Sequence, residues 1–136
     1  MSYALREHTA DIAVEATGET LGDTFAAVAD GMANAMCDEW PTAEERNDIT
    51  VEAESREALL FDYLDELIYE RDIHSVLPVE NAGEVEHENE SWRFVGSYGA
   101  VPLAAVTARD LKAVTYSEMD VSRTDDGWRA YVVFDV

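Results

Sequence analysis

Three charged residues stand in settings that are unusual for this chain. Asp135 directly follows the apolar run Tyr131-Val132-Val133-Phe134 and is followed only by Val136. A chain that stops inside a sheet holds its terminal carboxylate at a fixed point. Asp135 and the Val136 carboxylate could then present hard oxygen ligands from adjacent positions, as Ca²⁺ or Mg²⁺ requires; a frayed terminus is the plain alternative. Asp11 closes the run His8-Thr9-Ala10-Asp11, ahead of Ile12 and Val14. At the mouth of a strand it could ligate a cation or close an Asx-turn on its own backbone. His8 could be a ligand, a general base or a hydrogen-bonded structural residue, and Thr9 reads as capping or bracing the turn. Lys112, in Leu111-Lys112-Ala113-Val114-Thr115-Tyr116, is the only lysine in the chain. Its ammonium is a compact point charge suited to a single carboxylate or phosphate, where arginine would bring a planar fork. The plain alternative is a surface lysine.

Other carboxylates carry less information because they are so common. Thirty Asp and Glu against nine Lys and Arg give a net charge of −21. That excess repels phosphate backbones and argues against direct nucleic-acid binding. Acidity of this degree often marks disorder, but 47% hydrophobic and 10% aromatic residues support a real core. The composition instead fits a folded domain with an acidic surface adapted to high salt, as in an extreme halophile. In molar salt the screening length falls to about 3 Å, so such a surface tolerates its own charge.

The remaining chemistry is sparse. The sequence has no phosphate-loop motif, no nucleophile elbow and no C-x-x-C. His8, His74 and His87 lie far apart, and His87 sits in a glutamate-rich, solvated stretch. Cys37 is the single cysteine, so no internal disulfide is available, and it reads as a small core hydrophobe. The 136 residues fit one domain, 1–136. No apolar run is long enough for a membrane span, and the N-terminus lacks signal-peptide character. A cytoplasmic protein without self-evident catalytic apparatus is expected.

The elements that must position these residues follow from periodicity. Residues 3–7 and 11–16 read as two short strands, Ile12, Val14 and Ala16 alternating with Asp11, Ala13 and Glu15. Thr20 begins a helix to about Cys37–Asp38, with Asp23 in a capping-box-like position and Leu21, Phe25, Val28, Met32 and Met36 on one core face. Residues 42–48 read as a loop, and Ile49–Glu54 as a half-buried strand. Ser55 caps a second helix over 56–72, its inner face Leu60, Leu64, Leu67 and Ile68, its outer side acidic. Residues 76–88 and 91–98 read as a hairpin turning at Asn89-Glu90, and 101–105 has no assignment. Leu111–Val121, with Lys112 on the face of Val114 and Tyr116, and Trp128–Val136 form a last hairpin around Asp125-Asp126-Gly127. The order β-β-α-β-α-β-β-β-β gives an α+β domain, a sandwich-like arrangement of six to seven strands with two helices.

Taken together, these segments resemble the archease family. The matching pieces are His8-Thr9-Ala10-Asp11-Ile12, Thr20-Leu21 with Phe25, the leucines around an acidic core from Leu59 to Tyr69, Val106 to Tyr116, and the closing Phe134-Asp135-Val136. The likeness spans essentially the whole chain. Ser117 stands where many members have histidine, and Val136 where isoleucine is frequent. The resemblance implies a non-catalytic cofactor of the GTP-dependent tRNA-splicing RNA ligase, which promotes guanylylation of the ligase and its multiple turnover. It implies a divalent cation, calcium with Mn²⁺ or Mg²⁺ as substitutes, on residues matching Asp11, Asp135 and Val136. Lys112, with His8, would belong to the same functional patch. The alternatives are a chaperone-like interaction module without a functional metal and a stand-alone metal-dependent hydrolase.

Overall fold

The computed structural model describes residues 2–8 and 11–136 of the chain. Its elements run β1 (Ser2–His8), β2 (Asp11–Gly18), α1 (Leu21–Met36), β3 (Glu45–Ala53), α2 (Arg56–His74), β4 (Val76–Glu88), β5 (Ser91–Pro102), β6 (Ala113–Arg123) and β7 (Trp128–Asp135), with a 3₁₀ turn at Leu103–Ala105. The strands form two antiparallel sheets, one ordered β1-β2-β7-β6 and the other β3-β5-β4.

Both helices start where a side chain can satisfy an orphan amide. The Thr20 hydroxyl accepts from the Asp23 N–H at 3.0 Å, and the Ser55 hydroxyl from the Ala58 N–H at 3.1 Å. α1 stops at Cys37, which turns extended, and α2 stops at Ser75, which takes the left-handed conformation (φ 53°). The first helix is buried nearly all round, its small residues Ala26, Ala27, Ala29 and Ala33 inside along with Phe25, Val28 and Met32. That pattern belongs to a helix covered on two sides. Accordingly α1 packs on β1, β2 and β7 of one sheet and on β4 of the other, while α2 packs on β6 and on β3, β4 and β5. The two helices are the middle layer of the sandwich. At its centre Tyr63 lies 4.0 Å from Phe94, ring centre to ring centre, with Phe25 at 6.5 and 6.3 Å from them.

Three expected boundaries move. The polar stretch before Ile49 is strand from Glu45, because its backbone pairs with β5 from Glu45↔Ala100 onward. On the edge of a sheet such residues need not be apolar. β5 runs on to Pro102, so Val101 is strand and Leu103–Ala105 a tight turn. β6 begins at Ala113, not Leu111, which puts Lys112 just ahead of the strand. Lys112 thus lies outside the strand face expected to carry it with Val114 and Tyr116, and Tyr116, unlike the buried Val114, is 54% exposed. The cause of that exposure is a bulge. The pairing jumps from Thr115↔Val133 to Asp120↔Tyr131, with Glu118 at φ 58°. Cys37 is buried, and its thiol donates to the Glu39 carbonyl at 2.9 Å, in keeping with a packing role.

Candidate metal centre

The last strand of the chain lies inside its sheet, between β2 and β6. Val132, Val133 and Phe134 are all buried, which is why this run carries no polar alternation. In the register of that sheet Asp11 is directly opposite Asp135, and Asp135 directly opposite Ala113. The backbone of His8 pairs with Asp11 on the far side. The ends of β1, β2, β7 and β6, drawn from three distant parts of the sequence, therefore meet in one row at the end of the sheet. Thr9, expected to cap or brace this turn, lies outside the described residues, as does Ala10.

Directly opposed residues in an antiparallel pair project from the same face, their Cβ atoms about 4.5–5.5 Å apart. Val132 and Phe134 point into the core, so Asp135 and its partner Asp11 emerge from the outer face side by side. Asp11 is half-buried and Asp135 exposed. The next outward row contains Ala13, Val133 and Thr115, the first two buried, so apolar side chains back the acidic pair. Like charges placed directly opposite destabilise a sheet; a divalent cation between them would offset this. Among the described residues no three His, Cys, Asp or Glu side chains could hold a metal ion together. Further oxygens would have to come from the main chain, and Val136, one residue past Asp135, lies next to the pair in sequence. The donor set is all oxygen, as calcium, magnesium or manganese prefers.

Lys112 adjoins the same row. Its N–H donates to the Asp135 carbonyl at 2.9 Å, while its side chain is exposed. The segment leading to it is tied to the end of α1. The Arg109 N–H donates to the Met36 carbonyl at 2.6 Å, and the Arg109 guanidinium to the Ala35 carbonyl and the Asp38 carboxylate at 3.1 and 3.0 Å. Arg109 in turn holds the exposed Asp38 carboxyl below the ordinary carboxylate range. Farther along the outer face the charges are matched. Arg129 pairs with Glu15 and lies 3.4 Å from Asp120, its guanidinium over the Tyr131 ring.

Comparison with known proteins decides the family. Residues 3–136 match the Archease protein family (MTH1598/TM1083). The chain belongs to the archease family. It is 32% identical to the protein archease of Methanosarcina mazei, over 98% of this chain and 95% of that one. It is 33% identical to the protein archease of Pyrococcus furiosus, over 96% and 95%. The solution structure of Methanobacterium thermoautotrophicum protein 1598 superposes with a TM-score of 0.85, at 25% identity and 98% coverage of both chains. The two helices and seven strands in two antiparallel sheets are the archease architecture.

Within that architecture, Asp11, Asp135 and Lys112 converge on one end of the sheet, with His8 placed there by backbone register alone. Ser117 is exposed in the β6 bulge. One residue beside the site escaped the sequence reading. Arg71 is buried, and its guanidinium reaches the Leu111 carbonyl at 2.8 Å. Its signal was available, since 60, 64, 67 and 71 follow helical spacing, placing an arginine on the apolar stripe of α2.

Proposed function

We propose that this archease is a non-catalytic activator of the GTP-dependent tRNA-splicing RNA ligase, acting through the end of the four-stranded sheet. Family membership supports the partner, and the facing of Asp11 and Asp135 beside Lys112 is the observation that carries the site. Asp11, Asp135 and the main-chain oxygens of Val136 hold a divalent cation, calcium in preference to Mn²⁺ or Mg²⁺. The cation supplies a concentrated positive charge able to attract phosphate oxygens. Lys112 adds a point charge beside it, and His8 belongs to the same patch. Together they give an otherwise strongly acidic protein one end able to approach the phosphate chemistry of a ligase active centre. Direct binding of free RNA is not part of this reading, because the net charge opposes it.

The test is a Ca²⁺ and Mn²⁺ titration by calorimetry, run beside a ligase guanylylation assay at high salt. Asp11→Asn and Asp135→Asn each exchange an anionic ligand for a neutral one and should weaken both binding and activation. Residues added after Val136 convert its carboxylate to an amide and should do the same, whereas an N-terminal addition should not. Unchanged affinity in both Asn variants would remove the metal centre and leave the chaperone-like module. Turnover by the purified chain alone would favour a hydrolase.

A further inference from the structure

Arg71 is the only charged residue that is buried among the described residues, at 8% exposure. Burying a guanidinium is unfavourable unless its donors are used, and a well-packed apolar side chain often stabilises a fold as well or better. Its donors are used unevenly. Nε meets the carboxylate of Asp72 at 3.0 Å, but that carboxylate is 63% exposed and largely screened. Nη1 donates inward, to the Leu111 carbonyl at 2.8 Å and the Met36 sulfur at 3.2 Å.

The Leu111 carbonyl and the Lys112 N–H belong to one peptide unit, and a peptide unit is planar. Its oxygen is held by Arg71 and its N–H by the Asp135 carbonyl at 2.9 Å. Turning that plane would break both bonds, one of them charge-assisted and buried. The Leu111 side chain, 1% exposed, anchors the unit from below. A cation on the carbonyl also polarises the amide and makes its N–H a stronger donor toward Asp135. The clamp thus runs from α2 through one peptide to the two residues that flank the candidate centre.

We propose that Arg71 is a positioning residue: by clamping the 111–112 peptide it fixes Lys112 against the Asp135 main chain. Its functional weight rests on the reading that Lys112 serves ligase activation. Its geometry does not, and the two can be tested apart.

Hydrogen exchange of the Lys112 amide, followed by ¹H–¹⁵N NMR in molar KCl, reads the clamp directly. In Arg71→Met the Lys112 amide should exchange about tenfold faster, the equivalent of one weakened hydrogen bond, while the amides of Val132 and Phe134 keep their protection. Arg71→Gln, which retains a neutral donor, should fall between and serves if the Met variant does not fold. Because Lys112 is the only lysine, reductive ¹³C-methylation adds a second reporter, whose signal should shift in the same variants. Unchanged Lys112 exchange, or a loss of protection spread evenly over the sheet, would overturn the proposal in favour of a packing role. Ligase activation then separates the readings. If Arg71→Met impairs activation in the parent and adds nothing to Lys112→Ala, Arg71 acts through Lys112. A loosened Lys112 with full activation would instead refute the functional patch and leave the clamp standing.

Discussion

Phe94 offers a quantitative check on how the two layers of side chains around α1 and α2 hold together. Its ring is fully buried, 4.0 Å from Tyr63, and lies across the facing pair Gly83↔Gly96 of β4 and β5. A Cβ on Gly83 would sit 2.2 Å from Phe94 Cζ, with the ring carbons Cε1 and Cε2 at 2.7 and 2.8 Å. Neither glycine has a positive φ, so alanine there meets crowding and no backbone strain. Gly83→Ala must displace a ring that Tyr63 and Phe25 hold from behind, at about 1–3 kcal/mol. Phe94→Ala empties the slot and should cost about 3–5 kcal/mol. With an unfolding entropy of about 2.1 cal/mol/K per residue over 136 residues, that corresponds to a fall in Tm of roughly 10–18 °C. In the double variant the added methyl meets vacated space, so the second penalty should nearly vanish and leave a coupling of about 1–3 kcal/mol. Thermal unfolding of the four proteins by circular dichroism, in molar KCl, closes the cycle. Additivity to within about 0.3 kcal/mol would show that the ring does not occupy the glycine slot.

Other outcomes follow from charge. Lys112→Ala should keep the parent Tm but lose most ligase activation, with Lys112→Arg restoring only part, because the fork cannot occupy the same point; guanylylation rates check this. Unfolding at about 0.1 M KCl should occur at lower temperature than at about 2 M, since the −21 charge is then poorly screened; equal Tm values would contradict a salt-adapted surface. Burial raises the Asp30 carboxyl above its ordinary value, against the lowering effect of its hydrogen bonds from Asn81. The native state thus holds that proton more tightly than the unfolded chain. The resulting stability is complete below the unfolded value of about 3.9 and is lost as pH rises through the raised one. Asp30→Asn should therefore gain on the parent as pH rises across that interval, measured by urea unfolding at successive pH values. The Tyr98 hydroxyl, buried and donating to Glu70 at 2.8 Å, is pushed up to about 12 and should stay protonated in ultraviolet titration to pH about 11.

Much of the architecture was legible because periodicity and burial agreed. The caps at Thr20 and Ser55, the two-residue turn at Asn89-Glu90 and the continuous apolar run of β7 each carry a local signal that the fold keeps. What the sequence concealed was pairing. Nothing local in Glu45-Arg46-Asn47 announces a strand, because an edge strand is defined by its partner's backbone. The β6 bulge was invisible for the same reason, and with it the exposure of Tyr116, whose ring stacks on Phe61 at 4.2 Å. The candidate site was half legible. Asp11, Asp135 and Lys112 stood out by chemical type, and the resemblance joined them. That Asp11 faces Asp135 is a register, which no single strand encodes. Arg71 was missed because an arginine near a helix C-terminus reads as an ordinary solvated cation until its stripe is followed.

The place of β7 has a consequence for the order in which this protein can be made. Trp128–Asp135 comes after every other strand along the chain, yet it fills the middle of its sheet. As a ribosome extends the polypeptide, β2 must wait with an open edge while more than a hundred further residues are added. Only when β7 threads between β2 and β6 does Asp11 acquire its neighbour. A chain lacking β7 can complete the β3-β5-β4 sheet but does not bring Asp11 and Asp135 face to face. A cation held there, as proposed above, would favour chains in which β7 is docked and would stabilise them by mass action at the step that closes this sheet.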